Sequence, residues 1–292
     1  MPHDEWANLN GLDFHYRDWD GSGQSIILLH GLASNCHIWD MVAPILARDF
    51  AVVAMDQRGH GESAKPDHGY DFDTVGNDLS ALINHLGVVD PVVVGHSWGG
   101  DVALELAVAQ PRLAKGLVFV DGGMINSSAR YASLDDAREQ MAPPDFKGWS
   151  VEEFSKRVRE GHLGSLMTGQ IEEIVLANFE ALADGTIRAR LSRDNHIRII
   201  EALWDHHPPE LYPEVTCPLL VMPARQKSDP STAEQREIRE KSVATATASL
   251  PKGEVVWLED SIHDVPLQRP ELVAKVINQN IAGGFFNGSF TS

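Results

Sequence analysis

Six short apolar runs punctuate the chain: SIILLH (25–30), AVVAMD (51–56), PVVVGH (91–96), KGLVFVD (115–121), CPLLVMP (217–223) and EVVWLED (254–260). Runs this continuous suit strands buried on both faces, as in a parallel sheet with helices above and below. LDFHYRDW (12–19) alternates apolar and polar residues instead, and predicts a more exposed antiparallel edge strand. Helical periodicity lies between the runs. TVGNDLSALINHLG (74–87) puts Val75, Leu79, Leu82, Ile83 and Leu86 on one stripe and stops at Gly87, a C-terminal cap. GDVALELAVAQP (100–111) is rich in Ala and Leu and stops before Pro111, and PELVAKVINQNI (270–281) opens on a proline suited to a first helical turn. Strands alternating with helices predict an α/β protein with a doubly wound, mostly parallel sheet.

The rhythm breaks between Met124 and Pro213. SVEEFSKRVREGHL and QIEEIVLANFEAL are helical patterns, and no good buried strand accompanies them. The expectation is a core domain made of residues 1–123 and 214–292, with residues 124–213 inserted as a helical lid over the carboxyl ends of the strands. The segment after Ile281, GGFFNGSFTS, reads as a loosely held extension.

Composition narrows the function. Apolar residues make up 43 % of the 292, which is ample for a large core. Forty-two acids against 24 Lys and Arg leave a formal charge of −18, which argues against nucleic acid and anionic membrane surfaces as partners. No run of about 18 uncharged apolar residues predicts a membrane span, and the polar start MPHDEWANLN is not a signal peptide. Cys36 and Cys217 form neither a metal spacing nor a disulfide framework, and reduced thiols in a cytoplasmic protein are expected.

The sharpest chemical signal is Gly95-His96-Ser97-Trp98-Gly99-Gly100, which follows an apolar run directly and opens a helix directly. Gly-x-Ser-x-Gly between strand and helix is a nucleophile elbow: a sharp turn exposes the serine Oγ, and small residues two positions either side let strand and helix pass closely. Upstream, the first run ends in His30-Gly31, so the backbone N–H of Leu32 and that of Trp98 are the candidate oxyanion donors. His30 itself reads as structural.

These pieces resemble the α/β-hydrolase superfamily, in its lid-bearing branch. His30-Gly31, Asp56-Gln57-Arg58-Gly59-His60-Gly61-Glu62-Ser63, the elbow and His263 occur in the family's order and cover the chain from about residue 12 to 282. The resemblance implies that the Asp-x-Arg-Gly-x-Gly-x-Ser turn is structural, with Asp56 and Arg58 as ion-paired supports. A serine hydroxyl must pass its proton to a base, and the family carries that histidine in the loop after the last strand, here His263. His96 is then a neighbour of the nucleophile and not the base. Two aspartates compete for the orienting acid. Asp121 ends the strand after the nucleophile helix, 24 residues beyond Ser97; Asp229 lies in PARQKSDP, where Ala224 stands in place of the family's glycine and the aspartate comes late. Asp121 is favoured and Asp229 stays open.

Serine at the elbow implies acyl transfer to water through an acyl-enzyme, where aspartate would imply dehalogenase or epoxide hydrolase chemistry. The expected activity is cofactor-independent and metal-independent hydrolysis of a carboxylic ester or lactone. The substrate is a small or medium apolar molecule, with Trp39, Met124 and Trp204 near it and Trp98 also lining the pocket. His206 and His207, at the end of the lid, read as solvated. Two alternatives stand: hydrolysis of carbon–carbon bonds in dienoic ring-cleavage products, and a non-catalytic small-molecule receptor on the same fold.

Overall fold

The computed structural model describes residues 2–161, 163–226, 233–248, 250 and 252–287. The chain opens with the hairpin β1 (His3–Leu9) and β2 (Leu12–Asp18), then β3 (Ser25–Leu29), α1 (Ala43–Leu46), β4 (Ala51–Met55), α2 (Phe72–Leu86), β5 (Val92–His96), α3 (Trp98–Ala109) and β6 (Gly116–Val120). Next come α4 (Ser127–Arg130), α5 (Leu134–Gln140), α6 (Val151–Glu160), α7 (Gly169–Leu176), a small hairpin of β7 (Phe179–Ala181) and β8 (Ile187–Ala189), α8 (Arg193–Asp205) and α9 (Pro208–Leu211). The chain then resumes with β9 (Leu219–Met222), β10 (Ala224–Arg225), α10 (Ala233–Ala248), β11 (Gly253–Val255), β12 (Leu258–Glu259), α11 (Val265–Gln268) and α12 (Pro270–Ala282).

The main sheet has eight strands in the order β1-β2-β4-β3-β5-β6-β9-β11. Every pair from β4 to β11 is parallel, and the β1–β2 and β2–β4 pairs are antiparallel. The Val/Ile/Leu runs are central because both of their faces are covered. Ile27, Leu29, Val93, Leu117 and Phe119 enter one core with α2 and α3, whereas Ile26, Leu28, Val92, Val94 and Val118 enter the other with α1 and α12. Each such side chain contributes roughly 1.5–3 kcal/mol on burial. Asp71 caps α2 by accepting from the Thr74 amide at 2.9 Å, and Gly87 ends the helix at φ 64°.

Three local expectations change. LDFHYRDW is not an edge strand: β2 is paired on both sides, and β1 forms the edge. β1 hid in a polar N-terminus because an edge strand leaves most of its side chains in water. EVVWLED is broken into β11, paired with β9, and β12, paired with β10, so both neighbours bend together after Met222. The C-terminal tail is held in part, since Phe286 is buried against Gly116. No helix among the described residues is long and apolar enough to cross a membrane.

Candidate active site

Ser97 stands between the last residue of β5 and the first of α3 with φ 52° and ψ −127°. A non-glycine residue there costs about 1–3 kcal/mol, so its surroundings must impose the turn. They do so through the backbone. The Ser97 N–H donates to Val120 O at 3.2 Å, and Ser97 O accepts from Gly100 N at 2.9 Å and Gly123 N at 3.3 Å. Close approach explains the flanking glycines. A Cβ on Gly95 would lie 2.2 Å from Gly99 O, and one on Gly99 would lie 2.6 Å from His30 O.

Register brings Asp121 beside Ser97. His96 pairs with Val120 across β5 and β6, so Asp121, the next residue, lies alongside Ser97. Asp121 itself has φ 47°. Its Oδ2 is 2.7 Å from His263 Nδ1, while Oδ1 accepts from the Ala224 N–H at 2.8 Å and from Arg239 on α10. Burial disfavours the Asp121 charge, but the bond to His263, the charges of His263 and Arg239 and the Ala224 amide outweigh it and hold the carboxyl below its ordinary range. His263 moves the other way: desolvation pulls its pKa down, and the bond to Asp121 with the charges of Asp121 and Asp264 raises it overall. The ring remains 54 % exposed, open to a reacting group. Asp229 lies outside the described residues.

His96 is tied to this pair. Its Nε2–H donates to the His263 carbonyl at 2.9 Å and the two rings stand 4.8 Å apart, so the residue next to the serine holds the loop that carries His263. Burial, with the charge of His263, lowers its pKa to about 4.

The loop after β3 faces the elbow. A Cβ on Gly31 would lie 2.9 Å from Ser97 Cβ. The Gly31 carbonyl accepts from His30 Nδ1 at 2.8 Å and from Ser34 N at 3.2 Å. His30 Nε2 accepts from Gln57 N at 3.0 Å, which fixes the tautomer. A trans peptide directs the next N–H, that of Leu32, opposite to that carbonyl. Trp98 supplies the first amide of α3, where unpaired N–H groups favour negative charge.

Other expectations are redistributed. Trp39 is 0 % exposed and sits edge-on to His96 at 6.4 Å, so it packs against His96 and does not line an open pocket. Met124, just beyond Asp121, and Trp204 on α8 are half-buried. His206 is not solvated: its ring is fully buried, stacked on Phe72, and bonded to Glu105 at 2.8 Å and Asp101 at 3.1 Å. Asp56 and Arg58 are supports, though not for each other. Asp56 pairs with His15 at 2.7 Å, and Arg58 grips Asp78 at 2.7 and 2.9 Å. Asp56 also forms a buried cluster with His15 and Cys36, three ligand types together, but its oxygens already accept from His15 Nδ1 and the amides of Cys36 and Glu62. Arg239 escaped sequence reasoning, because nothing local marks a helical arginine as the partner of a distant aspartate.

A sequence profile described as "Alpha/beta hydrolase family" matches residues 26–276. A soluble epoxide hydrolase of Corynebacterium sp. (strain C12) is 41 % identical over 115 residues, 39 % of this chain and 40 % of that enzyme. A fluoroacetate dehalogenase of Burkholderia sp is 39 % identical over 106 residues, 35 % of each chain. The matched segments thus span well under half the length of these curated relatives. The crystal structure of E-2-(acetamidomethylene)succinate hydrolase superposes with a TM-score of 0.79, covering 97 % of this chain and 100 % of the other at 22 % identity, a likeness of fold.

Proposed function

The chain belongs to the alpha/beta hydrolase family, and from that premise we propose that it is a serine hydrolase cleaving a carboxylic ester or lactone of a small to medium apolar substrate. The observation that carries the reading is the 2.7 Å contact of His263 Nδ1 with Asp121 Oδ2, on a carboxylate alongside Ser97. With Nδ1–H given to Asp121, the lone pair of His263 resides on Nε2 and can take the Ser97 proton. Ser97 Oγ attacks the substrate carbonyl, and the resulting oxyanion is received by the amides of Leu32 and Trp98. The imidazolium, stabilised by Asp121, passes its proton to the leaving alkoxide. Water then attacks the acyl-enzyme with His263 as base, and Ser97 is restored.

A serine nucleophile supports this chemistry over that named for the epoxide hydrolase and the dehalogenase, because alkyl transfer to a hydroxyl would leave an ether that water does not cleave, whereas acyl transfer gives a hydrolysable ester. Residues 124–213 act in this reading as a lid. They leave the sheet just past Asp121, and Asn178 in this stretch accepts from Asn35 Nδ2 at 2.6 Å, in the loop after β3.

The test is labelling by a fluorophosphonate probe together with turnover of p-nitrophenyl acetate. Wild type labels at Ser97 and turns over, while Ser97→Ala and His263→Ala each lower kcat by roughly 10⁴-fold or more. Activity surviving both substitutions rejects the reading.

A further inference from the structure

We infer that His60 is a positioning residue of the oxyanion hole, holding the backbone on one side of Leu32 and the indole of Trp98 on the other. This rests on the serine-hydrolase reading above and adds to it a residue from the turn after β4.

The imidazole of His60 is buried with both nitrogens in use. Nδ1 is 2.9 Å from Arg58 O, so it carries the hydrogen and donates. Nε2 therefore bears the lone pair, and it accepts from the Ala33 N–H at 3.2 Å. Only the neutral Nδ1–H tautomer satisfies both bonds. Burial, followed by the neighbouring His30, keeps the ring from protonating. A second proton would set N–H against N–H at Ala33.

The bond to Ala33 matters because of what lies on either side of Leu32. The peptide plane before Leu32 is fixed through the Gly31 carbonyl by His30 and Ser34. The plane after it contains the Ala33 N–H, which His60 holds. The Leu32 N–H lies in the first of these planes, and the second, held by His60, braces the first through Leu32 and keeps the N–H from swinging away. Ala33 itself has φ 58°, a conformation alanine seldom adopts unless its partners impose it. The same ring lies 5.4 Å from the Trp98 indole at 30°, and 4.8 Å from His30. One side chain thus touches the residues that supply or orient both donors.

The turn that carries His60 is stiff. Ser63 Oγ donates to Asp56 O at 2.6 Å, the Glu62 N–H to Asp56 Oδ2 at 2.8 Å, and the Ser63 N–H to His60 O at 3.1 Å. Gly61, at φ 47°, leaves room for the Asp56 carboxylate, which a Cβ would meet at 2.0 Å.

The experiment compares His60→Phe, which keeps an aromatic ring against Trp98 and loses the acceptor, with His60→Gln, whose Oε1 can accept from Ala33. On p-nitrophenyl acetate, His60→Phe is expected to lower kcat by roughly 10- to 100-fold, somewhat less than outright loss of an oxyanion donor, with KM changed by less than about 3-fold. Affinity for phenylboronic acid, whose tetrahedral adduct needs the same donors, falls by a similar factor, and His60→Gln recovers most of both. Amide hydrogen exchange at Ala33 quickens in His60→Phe. Wild-type kcat in His60→Phe, or unchanged Ala33 exchange, overturns the inference. Where His60→Phe does not fold, the ¹⁵N shifts of the wild-type ring decide: the Nδ1–H tautomer from about pH 5 to 8 supports the inference and the Nε2–H tautomer overturns it. A wild type that neither labels at Ser97 nor turns over ester defeats the proposed function. The exchange and ¹⁵N results then still decide whether His60 holds the loop.

Discussion

Nδ1 of His263 meets Oδ2 of Asp121 at 2.7 Å, although one residue follows the last parallel strands and the other directly follows β6. The contact commits the imidazole to a single tautomer, with the lone pair on Nε2, as the proposed reaction requires. Asp121→Asn replaces an acceptor by a group that can also donate, and the opposite tautomer becomes competitive. We expect kcat on p-nitrophenyl acetate to fall by about 10³- to 10⁴-fold with the protein still folded, and Asp229→Asn, with the orienting role already filled by Asp121, to stay within about 2-fold of wild type. The reverse pattern moves the orienting role to residue 229.

The sequence revealed the parts of this arrangement that follow from local rules. Apolar runs marked β3, β5 and β6 because both faces of a central strand are covered, and Gly95 and Gly99 marked the elbow because strand and helix nearly touch there. What escaped depends on long-range contact. β1 was hidden because water covers most of its side chains, and His206 read as solvated because the charges that bury it, Asp101 and Glu105, belong to another helix. Arg239 was hidden for the same reason: its partner Asp121 is adjacent only in the folded chain.

The elbow depends on a glycine outside its motif. A Cβ on Gly122 would stand 2.1 Å from Ser97 O and 2.5 Å from Ser97 N, contacts that backbone cannot yield without moving. Gly122→Ala should shift Ser97 and lower kcat by roughly 10²-fold, the cost of about an ångström of misplacement, and destabilise the protein by about 1–3 kcal/mol through overpacking. Gly169→Ala, in open space at the start of α7, serves as the comparison and should leave kcat and stability unchanged. Kinetics alongside urea unfolding separate the two effects, and a Gly122→Ala enzyme of full activity contradicts the packing argument.

His206 forms a buried charge cluster with Asp101 and Glu105 on α3. Burial opposes its charge, but bonds to the two carboxylates offset this and push its pKa up to about 9. A raised histidine pKa stabilises the fold fully below the ordinary value of 6.5, and the contribution is lost as pH rises through about 9. Unfolding free energy should decline over that window in the wild type. His206→Leu leaves Asp101 buried without its partner and should cost about 3–5 kcal/mol at neutral pH. A flat stability profile between pH 6.5 and 9, read by urea unfolding, excludes a charged His206.

Arg239 and Asp121 act on His263 in opposite senses, and the pH profile can separate them. The groups facing the imidazole are Asp121 and Asp264, whose charges raise its pKa, Arg239, whose charge lowers it, and His96, which is neutral. In the proposed reaction His263 must be unprotonated to accept the Ser97 proton, so the acid limb of kcat/KM should follow its pKa. Net elevation by Asp121 places the wild-type limb above the ordinary value of 6.5. Arg239→Gln removes the opposing positive charge and frees Asp121 Oδ1 from the guanidinium, so the limb should move to higher pH. Asp121→Asn removes the larger raising influence, and the residual activity should show a limb at lower pH. Because Arg239 meets Asp121 Oδ1 while His263 meets Oδ2, its loss leaves the Asp121–His263 bond in place and should leave kcat on the alkaline plateau within about 5-fold of wild type. Shifts of the two limbs in the same direction sink this account of how the site sets its basicity.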